Sequence, residues 1–167
     1  MNPETGIKKF AATISSQPLG LAYHQPEGWA TPARCFENVF EKVRRSGGAP
    51  RFGWTFLYRI SPVGGYLVAT HHAVWHEPNG RLIDVTPFHE DAKHHPFSPG
   101  GSVLFLVDDA AQPLQVGGAI GPLPLRFFPL EDDESLLRYM DKLRADDDAS
   151  LQATYDAATK PPPPSER

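Results

Sequence analysis

Between Thr31 and Arg45 the apolar residues Phe36, Val39, Phe40 and Val43 fall at i, i+3, i+4 and i+7, which puts them on one face of a helix. Thr31 suits the N-cap of that helix and Pro32 its first position, while Ser46-Gly47-Gly48 supplies the stop. The period then changes. Phe52 to Ile60 and Tyr66 to Glu77 are rich in aromatic and β-branched residues and read as strands, as does Arg81 to Thr86. Pro78-Asn79-Gly80 joins the last two as a three-residue hairpin loop: proline fits the first central position of a type I turn and Gly80 the left-handed one. Val103 to Val107 reads as a further buried strand and Ala119 to Phe128 as a possible edge. Leu136, Leu137, Met140 and Leu143 recur at helical spacing within one or two helices over Glu131 to Thr159. The first thirty residues show no sustained period and read as a covering arm docked through Leu19, Leu21, Tyr23 and Trp29.

The layout is helix, antiparallel sheet, C-terminal helix, an α+β fold. A single domain is expected over 1–160, with its core at 31–108 and a disordered tail at 161–167 containing Pro161 to Pro164. Fourteen glycines and eighteen prolines in 167 residues fit short elements separated by turns and exclude a long helical bundle. A net charge of −4 with no basic cluster argues against nucleic acid or an anionic membrane as partner. The start lacks a secretory apolar stretch, and the longest apolar run, Val103 to Val107, is far short of the ~20 residues of a membrane span. The lone cysteine, Cys35, cannot form an intrachain disulfide, so a soluble, cytoplasmic protein in a reducing compartment is expected. No cofactor is indicated, since Gly64-Gly65 and Gly117-Gly118 fit no nucleotide-binding pattern. The acidic runs 131–134 and 146–148 read as a helix cap region and a solvated surface.

Cys35 carries the chemistry. It falls in the first turn of the first expected helix, where unpaired N–H groups and the positive end of the dipole favour a thiolate. A thiol nucleophile needs a base, and the base an orienting carboxylate; His71-His72 and Asp84 are available on the following strands. A three-residue loop at 78–80 sets Val74 opposite Asp84 and His72 opposite Thr86, so that His72 and Asp84 share a face as diagonal neighbours at ~7–8 Å. A four-residue loop would reverse the parity and bring His71 to Asp84 instead. Each residue alone has a plainer explanation: a lone cysteine is commonly a small core residue, and an aspartate before Thr-Pro a turn residue. Their order along the chain is what favours a site.

Cysteine at a helix start, histidine in His-Ala-Val-Trp and aspartate in Asp-Val-Thr-Pro resemble the core of the transglutaminase-like and papain-like thiol enzymes, over roughly residues 31–108. The resemblance implies Cys35 as nucleophile, His72 as general base and Asp84 as its partner. The chain departs from the usual motifs by Val74, inserted before Trp75, and by Val85 in place of proline. The strings Cys-x-x-Asn, Gly-Trp, His-His-Ala-Val-Trp and Asp-Val-Thr-Pro resemble bacterial proteins of unassigned function more closely still. Asn38, one turn after Cys35, is a candidate to reach the reacting oxygen or the histidine; Gln25 and Gln17 are candidate oxyanion donors, and Trp54 a candidate wall of the site. The expected partner is a peptide or small molecule with an amide or ester. Two rivals stand beside the enzyme: a non-catalytic binding module on the same fold, and a metal site drawing His72 or His76 together with His89, His94 and His95.

Overall fold

The computed structural model describes residues 1–159, the Lys93 side chain excepted, and the proline-rich tail lies outside this range. The chain is α+β, with helices α1 (Pro3–Ile14), α2 (Cys35–Ser46) and α3 (Glu134–Thr159). Its strands are β1 (Leu19–His24), β2 (Ala49–Ser61), β3 (Gly64–His76), β4 (Leu82–Asp84), β5 (Ser102–Val107), β6 (Leu114–Val116), β7 (Ala119–Gly121) and β8 (Arg126–Pro129).

The long hairpin β2–β3 organises everything else, pairing without a break from Ala49 opposite His76 to Ser61 opposite Gly64. From β2 the sheet runs through β5, β1 and β4 back to β3, so the strands close into a ring, and β8 extends β3 beyond it. The sheet is mixed and not purely antiparallel as expected: β1 runs parallel to β4, with Tyr23 opposite Ile83 and His24 opposite Asp84. Closure depends on Gly53, which pairs with both His72 and Val107; a Cβ there would lie 2.0 Å from the Leu106 carbonyl oxygen. The close approach suspected at Gly53-Trp54 is therefore between strands.

The first thirty residues are not an irregular arm. Asn2 caps α1 by accepting from the Thr5 N–H, Pro3 occupies its first turn, and Ile7, Phe10 and Ala11 are buried. Ile14 completes a helical stripe with them, a period present in the sequence but short and interrupted by polar residues. The turn at 78–80 forms as its residues dictate: Gly80 donates to the Glu77 carbonyl, Glu77 to that of Arg81, and Gly80 has φ 94. The β3–β4 register follows, with Trp75 opposite Ile83 and His76 opposite Leu82. The C-terminal segment is one helix, begun by Asp133 accepting from the Leu136 N–H. The acidic run 146–148 is not simply solvated, because Asp147 accepts from the Leu125 N–H and ties α3 to the chain entering β8.

Alternation along β3 separates two environments. Leu67 and Ala69 pack under α1, and Ala73 and Trp75 under Phe36 and Val39 of α2. On the opposite face, Val74 fills the ring with Ala22 and Phe105, while Tyr66 and Val68 meet Leu136 and Met140 of α3. Thr70 and His72 lie between these two packed ends.

Candidate active site

The helix carrying Cys35 starts later than its sequence suggests. Thr31 and Pro32 belong to a preceding turn, in which Arg34 donates to the Thr31 carbonyl and Ala33 adopts φ 61; Cys35 is the first helical residue. Proline then a left-handed residue is the pattern of a type II turn, normally met by glycine at the second position. Ala33 is the one non-glycine residue with positive φ among those described. No side chain caps α2, and its first intrahelical bond runs from the Asn38 N–H to the Arg34 carbonyl. The N–H groups of Cys35, Phe36 and Glu37 are thus the orphan donors at the positive end of the helix.

Asn38, the candidate one turn after Cys35, holds this turn in place. Its Oδ1 accepts from the Thr31 N–H at 3.1 Å, and its Nδ2 donates to the Thr31 carbonyl at 2.8 Å and to Thr86 Oγ1 at 3.2 Å. Both amide hydrogens are spent, and the residue is only 5% exposed. Asn38 therefore locks the approach to Cys35 onto the segment that follows Asp84.

His72 and Asp84 meet as the hairpin register requires, with His72 Nε2 3.0 Å from Asp84 Oδ2. The second oxygen of Asp84 accepts from the Thr86 N–H at 3.0 Å, which fixes the carboxylate in a site 2% exposed. The turn role considered for Asp84 and its role as histidine partner are both filled, one by each oxygen. Cys35 and His72 line one cavity, and Cys35 lies close enough to the imidazole to raise its pKa. With Nε2 committed to Asp84, Nδ1 is the ring nitrogen left to the sulfur. Burial alone would lower the His72 pKa, but Asp84 and then Cys35 outweigh it and hold the pKa well above 6.5. The arrangement stabilises an imidazolium against the Asp84 carboxylate.

His71 is a different case. It is 2% exposed, its Nδ1 accepts from the Leu123 N–H at 2.9 Å, and its Nε2 therefore donates to the Ala111 carbonyl at 2.8 Å. Its pKa is lowered, chiefly by burial. This neutral ring fastens two loops to the outer face of β3.

Cys35 and His72 open onto a cavity of about 710 Å³, within the ~300–1,000 Å³ range of small-molecule sites. Its floor is the β2–β3 hairpin and its other walls come from the loop after β4, the 120–127 segment and α3. The remaining candidates lie elsewhere. Trp54 is fully buried in the α1 cluster, donates from Nε1 to Asp108 Oδ2 at 2.9 Å and lies under the Arg126 guanidinium, so it is core and not a wall. Gln25 and Gln17 are exposed and do not line the cavity. The histidine-rich loop does not assemble a metal centre: His89 and His94 rings approach to 4.7 Å, yet no group of three or more potential ligands converges among the described residues. The sequence reading missed Thr86, Thr55 and Thr70, of which Thr86 was signalled by its place in Asp-Val-Thr-Pro. Thr55 and Thr70 were marked only by alternation with His72 along the hairpin.

Comparison with protein-family models, curated proteins and solved structures finds no match for this chain.

Proposed function

We propose that the chain is a thiol hydrolase or acyltransferase, in the manner of the transglutaminase-like and papain-like enzymes it resembles, acting on an amide or ester carbonyl. The observation that carries the reading is one imidazole, His72, hydrogen-bonded to Asp84 and close enough to Cys35 to feel its charge, at the mouth of an open cavity. Cys35 Sγ attacks the carbonyl carbon, and the oxygen gains its negative charge beside the orphan N–H groups at the start of α2. As the tetrahedral species collapses, the bond to the leaving oxygen or nitrogen breaks and His72 supplies its proton. Water, giving a proton back to His72, then cleaves the thioester to acid and free thiol; another nucleophile in its place gives acyl transfer. Asp84 holds the ring orientation throughout. A free thiol nucleophile suits a reducing compartment, and no helix among the described residues is long and apolar enough to cross a membrane.

Iodoacetamide labelling at pH 6–7 tests the reading. Cys35 is expected to react at least ~10-fold faster than N-acetylcysteine, with His72→Ala removing the advantage. The low exposure of Cys35, 8%, favours the alternative of a binding module in which the thiol is packing. That alternative wins if labelling is ordinary and indifferent to His72→Ala.

A further inference from the structure

The cavity shows a graded floor as it leaves the triad. Opposite His72 stands Gly53, whose missing side chain lets β5 close against the strand at this rung. The next rung on the same face pairs Thr55 with Thr70, the next Leu57 with Val68, and the next Arg59 with Tyr66; all six residues line the cavity. At ~3.3 Å per residue these rungs lie roughly 7, 13 and 20 Å along the strands from His72. Polarity thus runs from two hydroxyls beside the reacting centre, through a purely apolar rung, to a guanidinium and a phenol. Phe127, Leu125 and Leu143 add apolar wall from β8, the segment before it and α3. At the triad end the charged wall residues cancel, Arg34 pairing with Glu37 at 3.2 Å. Among the described residues Arg59 has no carboxylate partner, its NH1 donating only to the Tyr58 carbonyl.

A peptide lying in this groove would need partners for its own N–H and C=O groups, and past the threonine rung the walls offer few. A linear alkyl chain needs none. It also has a natural length limit, because a methyl end pushed past Leu57 and Val68 would meet the Arg59 guanidinium. An extended chain advances roughly 1.25 Å per carbon, so about eight to ten carbons reach the apolar rung.

Resting on the Cys-His-Asp reading above, we propose that the substrate is an ester, thioester or amide of a medium-length linear acyl chain, lodged along the β2–β3 groove with its carbonyl at Cys35. The acyl carbon first bonds to Sγ, the leaving group then departs with a proton from His72 as the tetrahedral species collapses, and the chain stays in the groove until water or an acceptor takes the acyl carbon from Sγ.

The test uses the intact protein and N-alkyl iodoacetamides, in which Cys35 displaces iodide whether or not any ester is turned over. Each rate constant is divided by that for N-acetylcysteine with the same reagent. Each buried methylene is worth up to about fourfold, so the N-octyl reagent is expected to exceed iodoacetamide by at least ~10-fold and the N-hexadecyl reagent to fall below the N-octyl one. Val68→Phe, which narrows the apolar rung, should reduce the octyl-to-unsubstituted ratio at least ~5-fold. Leu57→Ser, which makes that rung polar without adding bulk, should reduce it as well and serves if the bulkier variant does not fold. Equal corrected rates for all chain lengths overturn the acyl-groove proposal while leaving a fast, His72-dependent Cys35 intact. Slow, His72-independent labelling by unsubstituted iodoacetamide instead overturns the thiol-enzyme reading beneath it.

Discussion

The two faces of β3 put adjacent histidines to opposite uses. His71 looks outward under α2, with both ring nitrogens satisfied by backbone groups and only 2% of the residue exposed. His72 looks toward the groove, with one nitrogen on a carboxylate and the other beside a thiol. Residue type and sequence position are nearly the same, so the difference comes from the partners. Neutral backbone dipoles leave burial in control at His71, whereas Asp84 and Cys35 override it at His72. A one-residue slip of the hairpin would exchange the faces and lose both arrangements.

The largest effect should come from breaking the groove face. His72→Ala is expected to lower cleavage of p-nitrophenyl octanoate by about 10²–10⁴-fold with the fold retained, measured as kcat/KM beside far-UV circular dichroism. If the loss is below tenfold, the imidazole is not the base. His71→Ala should do the reverse. It strands the Ala111 carbonyl and the Leu123 N–H in a dry site, at a cost of about 2–4 kcal/mol in stability. Denaturant unfolding measures that loss, and the folded fraction should still alkylate at Cys35 at the wild-type rate.

Titration sharpens the contrast, because the two shifts have opposite signs. The His72 pKa is raised, so its contribution to stability is complete below 6.5 and is lost as pH climbs through the higher folded value. The His71 pKa is lowered, so its contribution is present above 6.5 and is lost as pH falls through the lower folded value. Proton–nitrogen correlation spectra should show the His72 midpoint above 6.5 and the His71 midpoint below it. Asp84→Asn removes the carboxylate beside the ring and should bring the His72 midpoint down. An unmoved midpoint would mean that the carboxylate is not what holds the proton.

Much of this site was legible because local turn chemistry determines it. Pro78-Asn79-Gly80 permits one economical loop, the loop sets the register, and the register brings His72 rather than His71 to Asp84. The α2 stripe and its glycine stop were equally local: Gly47 ends the helix at φ 72 and donates to the Val43 carbonyl. Contacts between distant segments were not legible. The parallel pairing of β1 with β4, and hence closure of the ring, depends on backbone groups that carry no residue signature. The spacing of Asn38 from Cys35 suggests a shared face and cannot show that Thr31 and Thr86 use up its amide. Trp54 likewise follows a glycine that marks a close approach, and the approach is by β5.

The smallest expected effect concerns the turn that delivers the nucleophile. Ala33 holds φ 61 immediately before the start of α2, a conformation costing an L-residue about 1–2 kcal/mol. Along β3 itself the only positive φ is at Gly64, where the conformation carries no Cβ penalty, so strain of this kind sits at the groove's rim and not beneath its outer face. Ala33→Gly relieves the strain but adds freedom to the unfolded chain, which offsets it by about 0.4–1 kcal/mol. The net expectation is a gain of up to ~1 kcal/mol in unfolding free energy. The same change should slow Cys35 labelling slightly, because a turn with more accessible conformers holds the thiol against His72 for less of the time. A clear loss of stability would instead mean that Ala33 is unstrained and that its methyl contributes packing at the cavity wall.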